Sequence, residues 1–217
     1  HELLVRKDLC FEAIRLAGFL ANHPLTNQPK VHAMLALFMF QASRLPARFD
    51  DQNDIVILEA QDRSLWDKRL IAAGLRHFRA SAKGIEMSDY HIESQLALEH
   101  SLAPDYKSTD WGQIFKCYEM LAARRSSPVI ELNKNIALAK LTDAATGLEV
   151  LEKLRADFDV ENYPLYFITV GELQAEAGRG AEAVKSLETA EKLTTNKSVL
   201  RFLAKKKEAA RASATED

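Results

Sequence analysis

Glycine and proline are scarce, 8 and 6 among 217 residues. With Ala, Leu, Glu, Lys and Arg dominant, that scarcity favours helix over strand and predicts a nearly all-α chain. Excess charge of one sign is also missing. The formal net charge is -2, so the chain lacks the positive field that drives attachment to phosphate backbones, which argues against direct DNA binding. Only two cysteines occur, Cys10 and Cys117, with no CxxC; they read as reduced core thiols of a cytoplasmic protein. No apolar run approaches the roughly 20 residues of a membrane span, and no signal peptide opens the chain. GxGxxG, GxxxxGK, GxSxG and HExxH are all absent. That removes the usual nucleotide, hydrolase and zinc readings, and predicts a protein without cofactor or catalytic activity. An initiator Met is lacking too. His1 leads at once into a helical pattern, and the chain reads as a piece of a longer protein.

What is present is apolar content, 47%, arranged with helical periodicity. The spacing predicts helices over 3–20, from Pro29 onward, and over 64–82, 88–102, 110–123, 128–140, 144–156, 163–177, 180–193 and 197–211, about ten in all. The helix after Pro29 carries Val31, Met34, Leu35, Leu37, Phe38, Met39 and Phe40. It is apolar around most of its circumference, which predicts a central buried helix with the methionines as core filler. Over residues 45–60 the pattern fails, predicting a long loop with an extended piece at Ile55–Ile57. Its acidic part, Asp50 to Asp54, is no calcium loop: the turn Gly is absent and Gln61 stands where the twelfth-position Glu belongs. Ser64 to Asp67 fits a capping box at the start of the next helix.

The stretch "YFITVGELQAEAGRGAEAVKSLETAEKL" spaces Gly171, Ala183 and Ala190 by 12 and 7. A tetratricopeptide repeat needs small residues there, so that two antiparallel helices can approach closely. Gly147, 36 residues before Ala183, marks a degenerate copy. Such hairpins bury their apolar faces only against neighbours. The expected fold is therefore all-α, with antiparallel helical hairpins stacked as a tetratricopeptide-like right-handed solenoid. Its expected parts are a helical region over 1–104, repeats over 105–211 and a disordered tail over 212–217.

Candidate chemistry is thin. His91, Glu93, Glu99 and His100 could gather round a metal, but on one helix His91 and Glu93 point about 200° apart, so no metal site is expected. The basic run Arg201, Lys205, Lys206, Lys207 and Arg211 reads as a solvated terminal helix rather than a phosphate footprint. What remains is a charged bundle at the two ends of the loop: Arg44, Arg48, Asp50, Gln61, Asp62, Arg63, Trp66 and Asp67. Either Arg44 or Arg48 pairs with Asp62 or Asp67 and pins the loop beside the apolar anchor Trp66, or the bundle binds a partner.

The segments "DLCFEAIRLAGFLA", "QDRSLWD", "TDW" and "SPVIELNKNIALAK", followed by the repeat, together resemble the long C-terminal extension of a group of bacterial extracytoplasmic-function sigma factors, those whose extension is tetratricopeptide-like. The resemblance covers residues 1 to 207. It implies a non-catalytic regulatory and protein-interaction domain that modulates transcription initiation. Its partners would be the sigma domains preceding it and/or core RNA polymerase. The promoter-reading residues would lie upstream of His1. The alternative expectation is a free-standing helical-repeat adaptor that binds a peptide.

Overall fold

The computed structural model describes residues 6–52 and 54–213, and the side chains of all of these except residue 213. The expected helical positions 3–5, Asn53 of the acidic loop, and residues 214–217 of the expected tail lie outside the described residues. All regular structure among the described residues is helical: ten α-helices and three short 3-10 turns. Three of the six prolines, Pro29, Pro128 and Pro164, stand at the first turn of a helix, where the missing N–H is no loss. Prolines therefore start helices here and never interrupt one.

The chain divides into two compact units, His1–Asp50 with Val56–Gln113, and Asp51–Ile55 with Ile114–Asp217. The first unit contains α1 (Lys7–Asn22), α2 (Pro29–Ser43), α3 (Lys68–Ser81) and α4 (Asp89–Leu102). Helix α2 packs against each of α1, α3 and α4, the central role its all-round apolar sequence predicts. On one flank Leu35 sits with Ala17 and Ala21 of α1, with Met34 and Met39 as partly buried filler. On the other, Ala36 and Phe40 join Ala47, Trp66, Ile71, Ala97 and Leu98. Phe40 is completely buried, a burial worth roughly 1.5–3 kcal/mol. Phe40 also explains Gly74 of α3, where a Cβ would stand 2.7 Å from the Phe40 ring.

The expected long loop holds two 3-10 turns, Leu45–Ala47 and Leu58–Ala60. Its extended piece contributes one backbone hydrogen bond, from the Val56 N–H to the Arg48 carbonyl at 2.9 Å.

Helix α5 (Trp111–Arg124) crosses the unit boundary, and the second unit continues with α6 (Pro128–Leu141), α7 (Ala144–Asp157), α8 (Pro164–Glu176), α9 (Gly180–Lys192) and α10 (Lys197–Ser213). From α6 onward each helix packs on the next, as in a helical-repeat solenoid. Leu132, Leu151, Leu154, Tyr166 and Leu173 fill the first hairpins, and the Tyr166 hydroxyl donates to the Leu151 carbonyl at 3.1 Å. Leu187, Ala190 and Leu203 fill the last.

The small residues lie where the repeat requires them. Ala183 and Ala190 are fully buried. A Cβ on Gly171 would come within 2.8 Å of Leu187 Cγ and 3.2 Å of the Ala183 carbonyl oxygen. Gly147 meets Ala139 in the same way at 2.7 Å. Gly171→Ala should therefore destabilise by about 1–3 kcal/mol through overpacking, despite alanine's better helix propensity. A thermal melt checks this, and an unchanged midpoint would show that α8 and α9 can separate at no cost.

The basic run on α10 is not merely solvated. Arg201 and Lys205 both pair with Asp54, Lys206 with Glu172 at 2.7 Å, Lys207 with Glu191 at 2.5 Å and Arg211 with Glu188 at 3.5 Å. The partners lie far away in sequence, so helical periodicity could not reveal them.

Candidate functional site

The signature Gln61 to Asp67 builds its own backbone. The Gln61 side-chain amide donates to the Val56 carbonyl at 3.0 Å. Asp62 accepts from the Ser64 N–H at 2.8 Å and caps a 3-10 turn over Arg63–Leu65. Helix α3 starts only at Lys68. Asp67 is its N-cap, accepting from the Arg69 and Leu70 N–H groups at 2.8 and 3.1 Å. This corrects the expected Ser64–Asp67 capping box: Ser64 belongs to a separate turn, and the Asp67 carboxylate accepts the first free amides itself. Asp67 also ties back to α2, its N–H donating to the Ser43 carbonyl at 2.9 Å. Asp67→Ala should cost about 1 kcal/mol of stability, the usual loss of an N-cap, read from the denaturation midpoint. Asp67→Asn should recover most of it.

The expected pairing of Arg44 or Arg48 with Asp62 or Asp67 is not formed; each carboxylate accepts, through Oδ1, from backbone N–H groups of the turn it caps. The arginines turn to Trp66 and to carbonyls instead. Trp66 is 2% exposed. The guanidinium carbons of Arg63 and Arg44 lie 4.7 and 5.5 Å from the centre of its ring, within cation–π range. Arg63 Nη1 donates to the carbonyls of His100 and Ala103, the latter at 2.8 Å. It thereby clamps the C-terminal end of α4, where the helix dipole favours a cation. Arg44 Nε reaches Gln61 Oε1 at a long 3.4 Å, and Arg48 Nη2 donates to Gln41 Oε1 at 2.8 Å. Arg48 also stands in the lining of a groove of about 320 Å³ between α1 and α2, beside Leu9, Cys10, Phe38 and Leu45. Asp50, the remaining member of the bundle, is exposed.

The structure adds a residue that the sequence pattern did not group with these. His100, 37 residues from Arg63, lies edge-on to Trp111 with ring centres 5.7 Å apart. No local spacing connects it to the signature, since α4 returns it to the site only through tertiary packing. Burial, with the charges of Arg44 and Arg63, holds its pKa down to about 4, so its imidazole is neutral at pH 7.

Cations dominate this cluster. Burial, together with Arg48 and Arg63, lowers the Arg44 pKa to about 10. Arg48 and Arg63 are also shifted down, by burial first. Asp105 offsets Arg63 at a distance, but the carboxylate itself accepts from the Ser108 N–H. Among the described residues no carboxylate forms an ion pair with any of the three guanidiniums. Four buried polar atoms here have no hydrogen-bond partner in the protein: Arg48 Nε, Arg63 Nη2, Trp66 Nε1 and His100 Nδ1. Native structures hold few such atoms per hundred residues, and two of these belong to Trp66 itself and to Arg63, whose guanidinium lies over its ring.

Elsewhere, His91 and His100 lie at opposite ends of α4, with His91 Nδ1 accepting from the Ser88 N–H at 3.1 Å. Among the described residues no group of His, Cys, Asp and Glu is arranged to hold a metal ion. Neither cysteine forms a disulfide; Cys117 is buried and Cys10 half-buried. No helix among the described residues is long and apolar enough to cross a membrane.

Residues 1–82 match a family described as a family of unknown function (DUF6596). That segment carries α1 to α3 and the whole Gln61–Asp67 signature, with Arg44 and Arg48. The chain is also similar to an uncharacterized protein of Rhizobium meliloti (strain 1021), with 32% identity over 199 residues, 92% of this chain and 46% of the relative. That similarity extends past the matched family segment into the helical repeats. The chain thus spans about half the length of the curated relative it matches. No solved structure matches it significantly.

Proposed function

We propose that this chain is a non-catalytic regulatory domain of an RNA polymerase sigma factor, modulating transcription initiation by packing against the sigma domains that precede it, against core polymerase, or both. The observation that carries an interaction role is on α1. Leu9, Leu16 and Leu20, spaced by 7 and 4, share one stripe with Phe19 beside it, and these four are 42 to 59% exposed. A contiguous apolar stripe left in water marks an interaction surface. The sigma assignment rests on the sequence resemblance described above. A relative about twice as long as the matched region is compatible with it.

The test is run-off transcription by the parent factor with and without this domain, and with Leu16→Glu and Leu20→Glu together. Deletion should change promoter-dependent transcript yield several-fold, and the double variant should follow the deletion. Unchanged transcription from the truncated factor would refute the reading.

The stacked hairpins of α6 to α10 favour a second reading, a free-standing adaptor whose repeat surface takes a peptide. The size of the native polypeptide in the source organism separates the two. Only the sigma reading requires further helical domains in the same chain.

A further inference from the structure

We propose that the cluster of Arg44, Arg63 and His100 around Trp66 is a binding site for a small oxyanion, a carboxylate or phosphate group. This goes beyond the regulatory reading and does not depend on it, because every residue involved belongs to the first unit.

The chemistry of the unpartnered atoms selects the ligand. Arg63 Nη2 and Trp66 Nε1 are solvent-excluded, the Arg63 guanidinium lies over the Trp66 ring, and each of the two atoms can only donate a hydrogen bond. Donors without an acceptor call for a group that only accepts and has several lone pairs. Guanidinium forks match the oxygens of carboxylates and phosphates in pairs, and a negative charge would offset the Arg44 and Arg63 guanidiniums that both lie against Trp66. A metal cation is excluded by the same charges. A water molecule could accept one or two of these bonds but would leave the charge uncompensated. The neutral His100 ring and the Trp66 indole give the site a low-dielectric wall, which strengthens any anion contact made there.

Depth argues for a small ligand. Trp66 is 2% exposed, so only a compact group can reach its N–H. The Arg44 guanidinium makes just one long hydrogen bond, to Gln61, and is the group best able to swing towards an incoming anion. Arg63 is already committed to the α4 carbonyls and is the fixed part of the site.

Nitrogen-15 spectra of the full chain provide the test. The chain has two tryptophans, hence two indole N–H signals, and Trp111→Phe assigns them. At constant ionic strength held with sodium chloride, sodium phosphate and sodium malonate are titrated separately. The Trp66 indole proton should move downfield and saturate with at least one of them, as it gains an acceptor, and the melting temperature should rise over the same concentrations. Saturation with phosphate alone assigns a phosphate-type ligand, and with malonate alone a carboxylate. Arg44→Gln, confirmed as folded by circular dichroism, should weaken the response at least tenfold. If that variant fails to fold, the titration of the unmodified chain decides. Shifts that stay linear, match those of Trp111 or also follow added chloride overturn the proposal, as does a folded Arg44→Gln variant that responds like the unmodified chain.

Discussion

Replacing Trp66 with alanine should lower the free energy of unfolding by about 3–5 kcal/mol, the range for truncating a buried aromatic. The ring is 2% exposed and touches a core of Ala36, Phe40, Ala47, Ile71, Ala97 and Leu98 drawn from three helices and a turn. Its loss leaves a cavity that rigid helices cannot fill. It also strips Arg44 and Arg63 of the π-face that partly compensates their burial. Urea denaturation measures the effect, with an unchanged slope showing that only stability has moved. Trp66→Phe gives the control. The indole N–H has no partner in the protein, so phenylalanine forfeits no hydrogen bond and should cost under about 1.5 kcal/mol. Equal losses in the two variants would show that the indole N–H, rather than the packed ring, sustains the fold.

Acid should weaken the fold between pH 6.5 and about 4. In the unfolded chain His100 takes up a proton near the ordinary 6.5, whereas in the folded chain burial and the neighbouring arginines delay protonation to about 4. Below pH 6.5 the unfolded state therefore binds a proton that the folded state refuses, and stability falls as pH falls. Above 6.5 the ring is neutral in both states and contributes no slope. The gap corresponds to a loss of about 3 kcal/mol when fully developed near pH 4. His32 and His77 shift in the same direction, chiefly through burial. Their Nδ1 atoms stand 2.9 Å apart, so one ring must donate while the other accepts, and protonating both breaks the contact. Urea midpoints at pH 7 and pH 4.5 for the unmodified chain and for His100→Gln isolate the contribution. The variant should show a flatter profile by up to the amount above, and identical profiles would mean that His100 titrates as freely as in water.

Much of the fold was legible in the chain because it depends on short-range periodicity. Pro29 and Pro128 announced helix starts. The all-round apolar run through Phe40 announced the central helix, and Gly171 with Ala183 announced a close crossing. The error at Ser64 shows the limit of that method: S-x-x-D fits a capping box by letter, but Arg63–Leu65 close a separate turn and leave the cap to Asp67. The members of the charged bundle were legible as a group, and their contacts were not. Opposite charges at loop ends suggest pairing. Which acceptor wins is decided by geometry, and here backbone N–H groups took both carboxylates while aromatic and carbonyl partners took the arginines. His100 could not be grouped with them at all, since its membership depends on how α4 packs.

The grip of α10 on Asp54 also imposes an order in time. Asp54 is buried at 3% exposure and is held by Arg201 and Lys205, which follow it by 147 and 151 residues. At translation speeds of roughly 5–20 residues per second, a nascent Asp54 waits about 7 to 30 seconds before these cations are synthesised. Asp54 therefore spends that interval without two of its partners, open to chaperones and proteases, and a nascent chain stalled before α10 displays it as unfinished.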